Sequence, residues 1–234
     1  ATTGMGKSNF MKTFSASCMQ MQQFGLLVVD PHGEYLRGGL SSTGKRTLGL
    51  VHYTAGKDGL AVFTISEDDR KKYGANSLWL DYEDFRMTDL SLLYDLSQAQ
   101  RDVIESLEEV SGTDVIRFFL TANVDTLPDQ VRANTYAGPY PEIAGKLGAF
   151  HPGTLQVIQR RIKNIVAGNR KFFRQSGSSI QEIITNLHDN KVVLIDIPRM
   201  GERSELFVLS MITRRIMQAH RKSAEDFGAE TEPA

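Results

Sequence analysis

A single cysteine among 234 residues removes several classes of protein at once. One thiol, Cys18, supports neither an internal disulfide framework nor a cysteine-based zinc site, and it fits a reducing, cytoplasmic compartment. No apolar run approaches the ~18 residues needed to cross a bilayer, so no membrane is expected as partner. Internal repeats and low-complexity tracts are also missing. Excess charge of one sign is absent over the whole chain, with a net −1 at pH 7. The remaining composition, 41% hydrophobic and 24% charged, is ordinary for a globular chain of one or two domains that buries a good core.

The near-zero charge hides a strong asymmetry. Residues 1–150 carry 14 Lys+Arg against 19 Asp+Glu, whereas residues 151–222 carry 13 against 5. The stretch from Ser223 onward holds four acids and no base. A basic third within a neutral chain suggests either a face for a polyanion or a surface balanced by an acidic neighbour in the fold.

The most specific pattern stands at the start. Ala1-Thr2-Thr3-Gly4-Met5-Gly6-Lys7-Ser8 fits the phosphate-binding loop of nucleoside triphosphatases. Backbone N–H groups of such a Gly-rich turn, followed by a helix N-terminus, form a nest of positive partial charge for a polyphosphate. Lys7 would reach the terminal phosphates and the Ser8 hydroxyl would ligate Mg²⁺. Asn9 to about Met21 reads as the helix after the loop, with Phe10, Met11, Phe14 and Met19 as its apolar residues. Phe24 to Asp30 then reads as a buried strand ending in an acid. The strand expected before the loop is absent and the chain opens without Met, so a longer protein is expected.

Three blocks follow from the pattern. Residues 1–83 alternate short apolar runs with turns, with strands expected near 48–53, 61–65 and 77–82. Residues 84–150 read as a mainly helical insertion, in which Ser97 caps a helix through Val110 and 114–120 forms another. Residues 151–234 read as the second part of an α/β core. There Pro152 starts a helix whose face carries Leu155, Ile158, Ile162 and Ile165. A helix near 179–187, a strand over 191–198 and a helix over 202–222 complete it. Arg160, Arg161, Lys163, Arg170 and Lys171 lie opposite the apolar stripe, as a solvated face or as contacts to phosphates.

In open α/β sheets, ligands bind beyond the carboxyl ends of the strands. Asp30, Glu34 and Asp196 fall at or just past such ends. Pro31 and Gly33 force a sharp turn after the strand that would set Glu34 at the sheet edge, to orient a water or hold a Mg²⁺-bound water. His32 has no partner at ligand spacing and reads as structural or substrate-facing. Asp196 is expected either to join the site or to pair with Arg199 or Arg203.

Thr2 to Asn9, then Leu27-Val28-Val29-Asp30-Pro31-His32-Gly33-Glu34-Tyr35, resemble the central domain of the HerA helicases, in the HerA–FtsK branch of RecA-like ATPases. The resemblance extends through Gly74 to Leu78, Leu96 to Arg101 and Val192 to Asp196. It implies a RecA-like P-loop core with a helical insertion, a homo-hexamer around double-stranded DNA, and ATP with Mg²⁺ bound between subunits. It maps Lys7 onto the Walker A lysine, Ser8 onto the Mg²⁺-binding serine, and Asp30 and Glu34 onto the acidic motif after the second strand, as catalytic candidates. A NurA-like nuclease or another effector is the implied partner, in DNA end processing or phage defence. Related ATPases serve conjugation and secretion, and an ATP-gated scaffold without translocation is a further alternative. The family's N-terminal barrel, its Glu-Glu-Ala-His Walker B strand and its arginine finger are expected outside this stretch.

Overall fold

The helix after the Gly-Lys-Ser motif forms as α1 (Lys7–Met21), but it buries a different face from the one its apolar residues suggest. Lys12, Ser15, Cys18 and Met19 point inward, while Phe10, Met11 and Phe14 are 70%, 38% and 41% exposed. The cause is the docking of the helix end. A Cβ on Gly56 would lie 2.6 Å from the Gln20 nitrogen, and one on Gly59 2.1 Å from the Met19 carbonyl oxygen. This close approach turns Cys18 and Met19 into a core shared with Val28, Leu36, Leu50, Val62 and Leu194.

This is a computed structural model, which describes residues 7–40 and 44–230, with side chains to Lys222. In chain order, α1 is followed by β1 (Leu26–Asp30), α2 (Glu34–Arg37), β2 (Gly38–Leu40), β3 (Arg46–Leu48) and β4 (Leu60–Thr64). Then come α3 (Glu67–Tyr73), β5 (Asn76–Ser77), β6 (Leu80–Asp81), α4 (Asp89–Leu93), α5 (Gln98–Ser106) and α6 (Gly112–Thr121). Helices α7 (Leu127–Arg132), α8 (Pro141–Leu147) and α9 (Pro152–Gly168) precede β7 (Phe173–Arg174), α10 (Ile180–His188), β8 (Val192–Asp196) and α11 (Glu202–Glu230).

Two units hold these elements: residues 1–79 with 179–201, and residues 80–178 with 202–234. Helix α9 belongs to the second unit, where it packs with α5 and α6. The first unit contains a parallel four-stranded sheet in the order β1-β8-β4-β5, with flanking helices, as a RecA-like α/β core requires. All five residues of β8 are buried, since strands flank it on both sides and apolar residues fill the run, a pattern typical of a central parallel strand. The strand expected at 48–53 is instead a 3-10 turn over Leu50–His52 after the β2–β3 hairpin. The run at 77–82 is divided between β5, in the four-stranded sheet, and β6, which pairs with β7.

The second unit is built around aromatic rings. Phe173 meets Phe207 at 5.1 Å edge-on and Tyr82 at 5.0 Å, and Phe118 stands edge-on to Phe119. Such edge-to-face pairs place a positive ring edge on a negative face. Pro152 does start α9, where the His151 ring accepts the Gly153 N–H.

Candidate functional site

The end of α1 packed on Gly59 lies where β4 begins, so the helix runs against the strands and its first turn faces their carboxyl ends. Lys7 is exposed there, Ser8 is half-buried and Asn9 is exposed. The first turn contains no acid, so no side chain of that turn offsets the positive end of the helix dipole. Thr2, Thr3, Gly4, Met5 and Gly6 lie outside the described residues.

The turn after β1 is organised by Asp30. This side chain is 1% exposed, and its two carboxylate oxygens accept the N–H groups of Glu34, Tyr35 and Leu36 at 3.1, 2.7 and 3.1 Å. Those amides open α2, whose cap position holds Gly33 at φ 73° with no side chain to offer. Asp30 thus supplies the cap from four residues upstream, and its charge suits the helix N-terminus. Asp30 is a positioning group here. Glu34, which it fixes, is exposed at the sheet edge and has no hydrogen bond or ion pair through its carboxylate among the described residues.

Register alignment sets Asp196 of β8 between Asp30 and Thr64. Asp196 is fully buried, and the Thr64 hydroxyl donates to it at 2.6 Å. The nearest cation is the Arg37 guanidinium at 3.7 Å, which also donates to both oxygens of Asp69. The other Asp196 oxygen, Oδ1, has no hydrogen-bond partner among the described residues. Burial pushes this carboxyl up to about 6, against the Thr64 hydrogen bond and Arg37, with Asp30 and Asp69 adding to the rise. Asp69 goes the other way, lowered first by its bond to Arg37, and Arg37 is raised by that same bond. The expected pairing of Asp196 with Arg199 or Arg203 is thus replaced by Thr64 and Arg37. The Arg203 guanidinium lies 4.8 Å from the Tyr94 ring instead.

Arg37, Thr64 and Asp69 were not among the sequence candidates. Ser66, whose hydroxyl accepts the Asp69 N–H to cap α3, gave a readable sign of where Asp69 would sit. Nothing local marks Thr64, since its partner is 132 residues away.

The basic face of α9 is partly committed. Arg161 donates to Gln100 at 2.9 Å and to the Asp95 carbonyl at 3.1 Å, and covers the Tyr94 ring at 4.7 Å. Arg160, Lys163, Arg170 and Lys171 are exposed.

Comparison with known families decides the assignment: residues 1–216 match the profile of the family described as Helicase HerA, central domain. The chain belongs to the HerA central-domain family. HerA domains are P-loop ATPases of the HerA–FtsK type, so a nucleotide with a divalent metal is the implied ligand. None of the curated proteins or solved structures compared with the chain matches it. Among the described residues, no helix is long and apolar enough to cross a membrane.

Proposed function

We propose that this HerA domain is the motor of a homo-hexameric ring that hydrolyses ATP to move along double-stranded DNA, in concert with a nuclease or other effector. The observation that carries this reading is the shared edge of the first unit. The first turn of α1, with Lys7 and Ser8, and the Asp30-held turn, with Glu34, both belong to the carboxyl side of one parallel sheet. An exposed lysine, a hydroxyl and an acid-free helix start fit a triphosphate and its Mg²⁺. When bound, that pair supplies the electrophilic phosphorus and the charge neutralisation for attack by water. Lys7 would hold the outer phosphates and Ser8 the metal. Glu34 would orient the water, and Asp30 would keep Glu34 in place. Arg160, Lys163, Arg170 and Lys171 are proposed as backbone contacts, which carry no sequence preference.

The test is the ATPase rate of the full-length protein with and without blunt duplex DNA. Acceleration by DNA is expected, with Lys7→Ala abolishing turnover and Glu34→Gln lowering kcat by roughly 10²-fold. A rate indifferent to DNA would sink the translocase reading. Normal turnover in Lys7→Ala would sink the site itself. Light scattering should give a six-subunit mass. ATP-dependent assembly with negligible hydrolysis would favour the scaffold alternative.

A further inference from the structure

A cavity of about 570 Å³ opens beside the β2–β3 hairpin, within the sheet-bearing unit. Its wall carries four basic side chains, Arg37, Arg46, His52 and Lys72, together with Thr47 and Tyr73, and no acid among the described residues lines it. The size falls in the range of small-molecule sites, roughly 300–1,000 Å³.

The bases differ in what already neutralises them. Arg37 is taken by Asp69. Lys72 faces Asp69 electrostatically and sits 5.1 Å from the Tyr73 ring. His52 meets that ring edge-on at 6.2 Å. Arg46 is exposed and has no ion pair among the described residues. The other acid in the area, Glu34, reaches the hairpin at Gly39, where an added Cβ would lie 4.0 Å from its Cγ.

Behind the cavity wall stands a second, independent signal. Lys12 of α1 is 3% exposed, and among the described residues its ammonium makes one hydrogen bond, to the Thr47 hydroxyl at 3.3 Å. That hydroxyl donates in turn to the Gly39 carbonyl at 3.2 Å. Removing an ammonium from water costs several kcal/mol unless an opposite charge compensates it. Here the one hydrogen-bond partner among the described residues is neutral, and the charged side chains that line the cavity are basic, with Asp69 and Glu34 next to the lining residues Arg37 and Gly39. Converging cations with one neutral hydroxyl between them raise the local potential, and an anion lowers it.

We propose that this cavity is a phosphate-binding site made by residues other than Lys7 and Ser8, with Arg46 and Lys72 as its direct contacts and Lys12 as the buried charge beneath Thr47. Arginine matches two phosphate oxygens at once and lysine adds a point charge, a combination suited to a phosphate ester. The ester comes either from a nucleic-acid backbone or from a nucleotide. The nucleic-acid source rests on the DNA reading above, while the nucleotide source does not.

The experiment uses the full-length protein and the variant Arg46→Ala/Lys72→Ala, both positions being exposed side chains outside the catalytic set. Binding of a fluorescein-labelled blunt duplex is measured over a series of salt concentrations, and binding of fluorescent ATP is measured in a Lys7→Ala background. If the ester is nucleic acid, the variant binds duplex more weakly and the slope of log K against log salt falls by about 2. ATP binding through Lys7 then stays unchanged. If the ester is a nucleotide, Lys7→Ala retains residual ATP binding that inorganic pyrophosphate displaces and that the added Arg46→Ala/Lys72→Ala removes. Unchanged duplex slope and no such residual binding overturn the site. A wild-type protein that binds no duplex defeats the translocase reading alone, because the nucleotide arm still decides the cavity. Lys12→Met should weaken whichever ester binds, and its melting curve separates that effect from misfolding.

Discussion

Two neighbouring aspartates show how far a residue's role depends on what surrounds it. Asp30 and Asp196 occupy partnered positions on adjacent strands, and both are buried. Asp30 meets three backbone amides, which leaves neither of its oxygens unused. Asn at this position would turn an NH₂ toward those donors, so Asp30→Asn should destabilise by about 2–3 kcal/mol in urea denaturation. It should also lower kcat by loosening Glu34. Asp196 has one hydroxyl, a distant guanidinium and an orphan oxygen, and burial raises it to about 6. A raised carboxyl binds its proton more tightly in the folded state than in the unfolded one. Its contribution therefore favours folding below the usual carboxylate range and is lost as pH climbs through about 6. Asp196→Asn should flatten this loss, so the variant's Tm, relative to wild type, rises between pH 4 and pH 7. A relative Tm that stays constant over that window would show that Asp196 ionises normally. The sequence made Asp30 and Glu34 legible because the turn chemistry of Pro31 and Gly33 is local. The partners of Asp196 were illegible because sheet register brings Thr64 to it, and Arg37 reaches it from beyond a turn.

Elements were legible where a single periodicity decides them. Helices α5, α6, α9 and α10 and strands β1, β4 and β8 lie close to where pattern and caps put them. The face of α1 was not, because hydrophobic spacing names an apolar stripe but not the surface that receives it. Backbone approach to Gly56 and Gly59 selected the side with Lys12, Ser15 and Cys18. Ser15 is tolerated there since its hydroxyl donates to the Met11 carbonyl. The docking predicts a cost for any side chain at Gly59. Gly59→Ala would set a Cβ 2.1 Å from the Met19 carbonyl oxygen, so the α1 end must shift, at about 1–3 kcal/mol. Gly145 in α8 makes the control, with nothing within 4 Å of an added Cβ. Gly145→Ala should stabilise by about 0.5–1 kcal/mol through a less flexible unfolded chain. Thermal melts of the two variants should move in opposite directions, and equal destabilisation would refute the docking argument.

Across the molecule, the end-to-end charge asymmetry does not fold into a basic domain. The sheet-bearing unit carries eleven Lys+Arg against nine Asp+Glu, and the other unit sixteen against nineteen. The acidic stretch before residue 150 and the basic stretch after it share the second unit. Asp89 accordingly pairs with Arg214, and Asp84 with Arg215. Arg214 and Arg215 are thus neutralised at home, and the exposed cations of α9 and the turn after it are separable by mutation. Lys163 is exposed with no ion pair among the described residues, whereas its helix neighbour Arg161 is held by Gln100, Asp95 and Tyr94. Lys163→Ala should leave Tm unchanged and lower the salt slope of duplex binding by about 1 per subunit. Arg161→Ala should do the reverse, costing about 1–2 kcal/mol of stability with the slope intact. The combined Arg160→Ala/Lys163→Ala/Arg170→Ala variant then weighs the two surfaces. A slope reduced by about 3 puts α9 and the turn after it on the DNA path. An unchanged slope removes that helix from the path and leaves the hairpin cavity, with Arg46 and Lys72, as the phosphate contact of the motor.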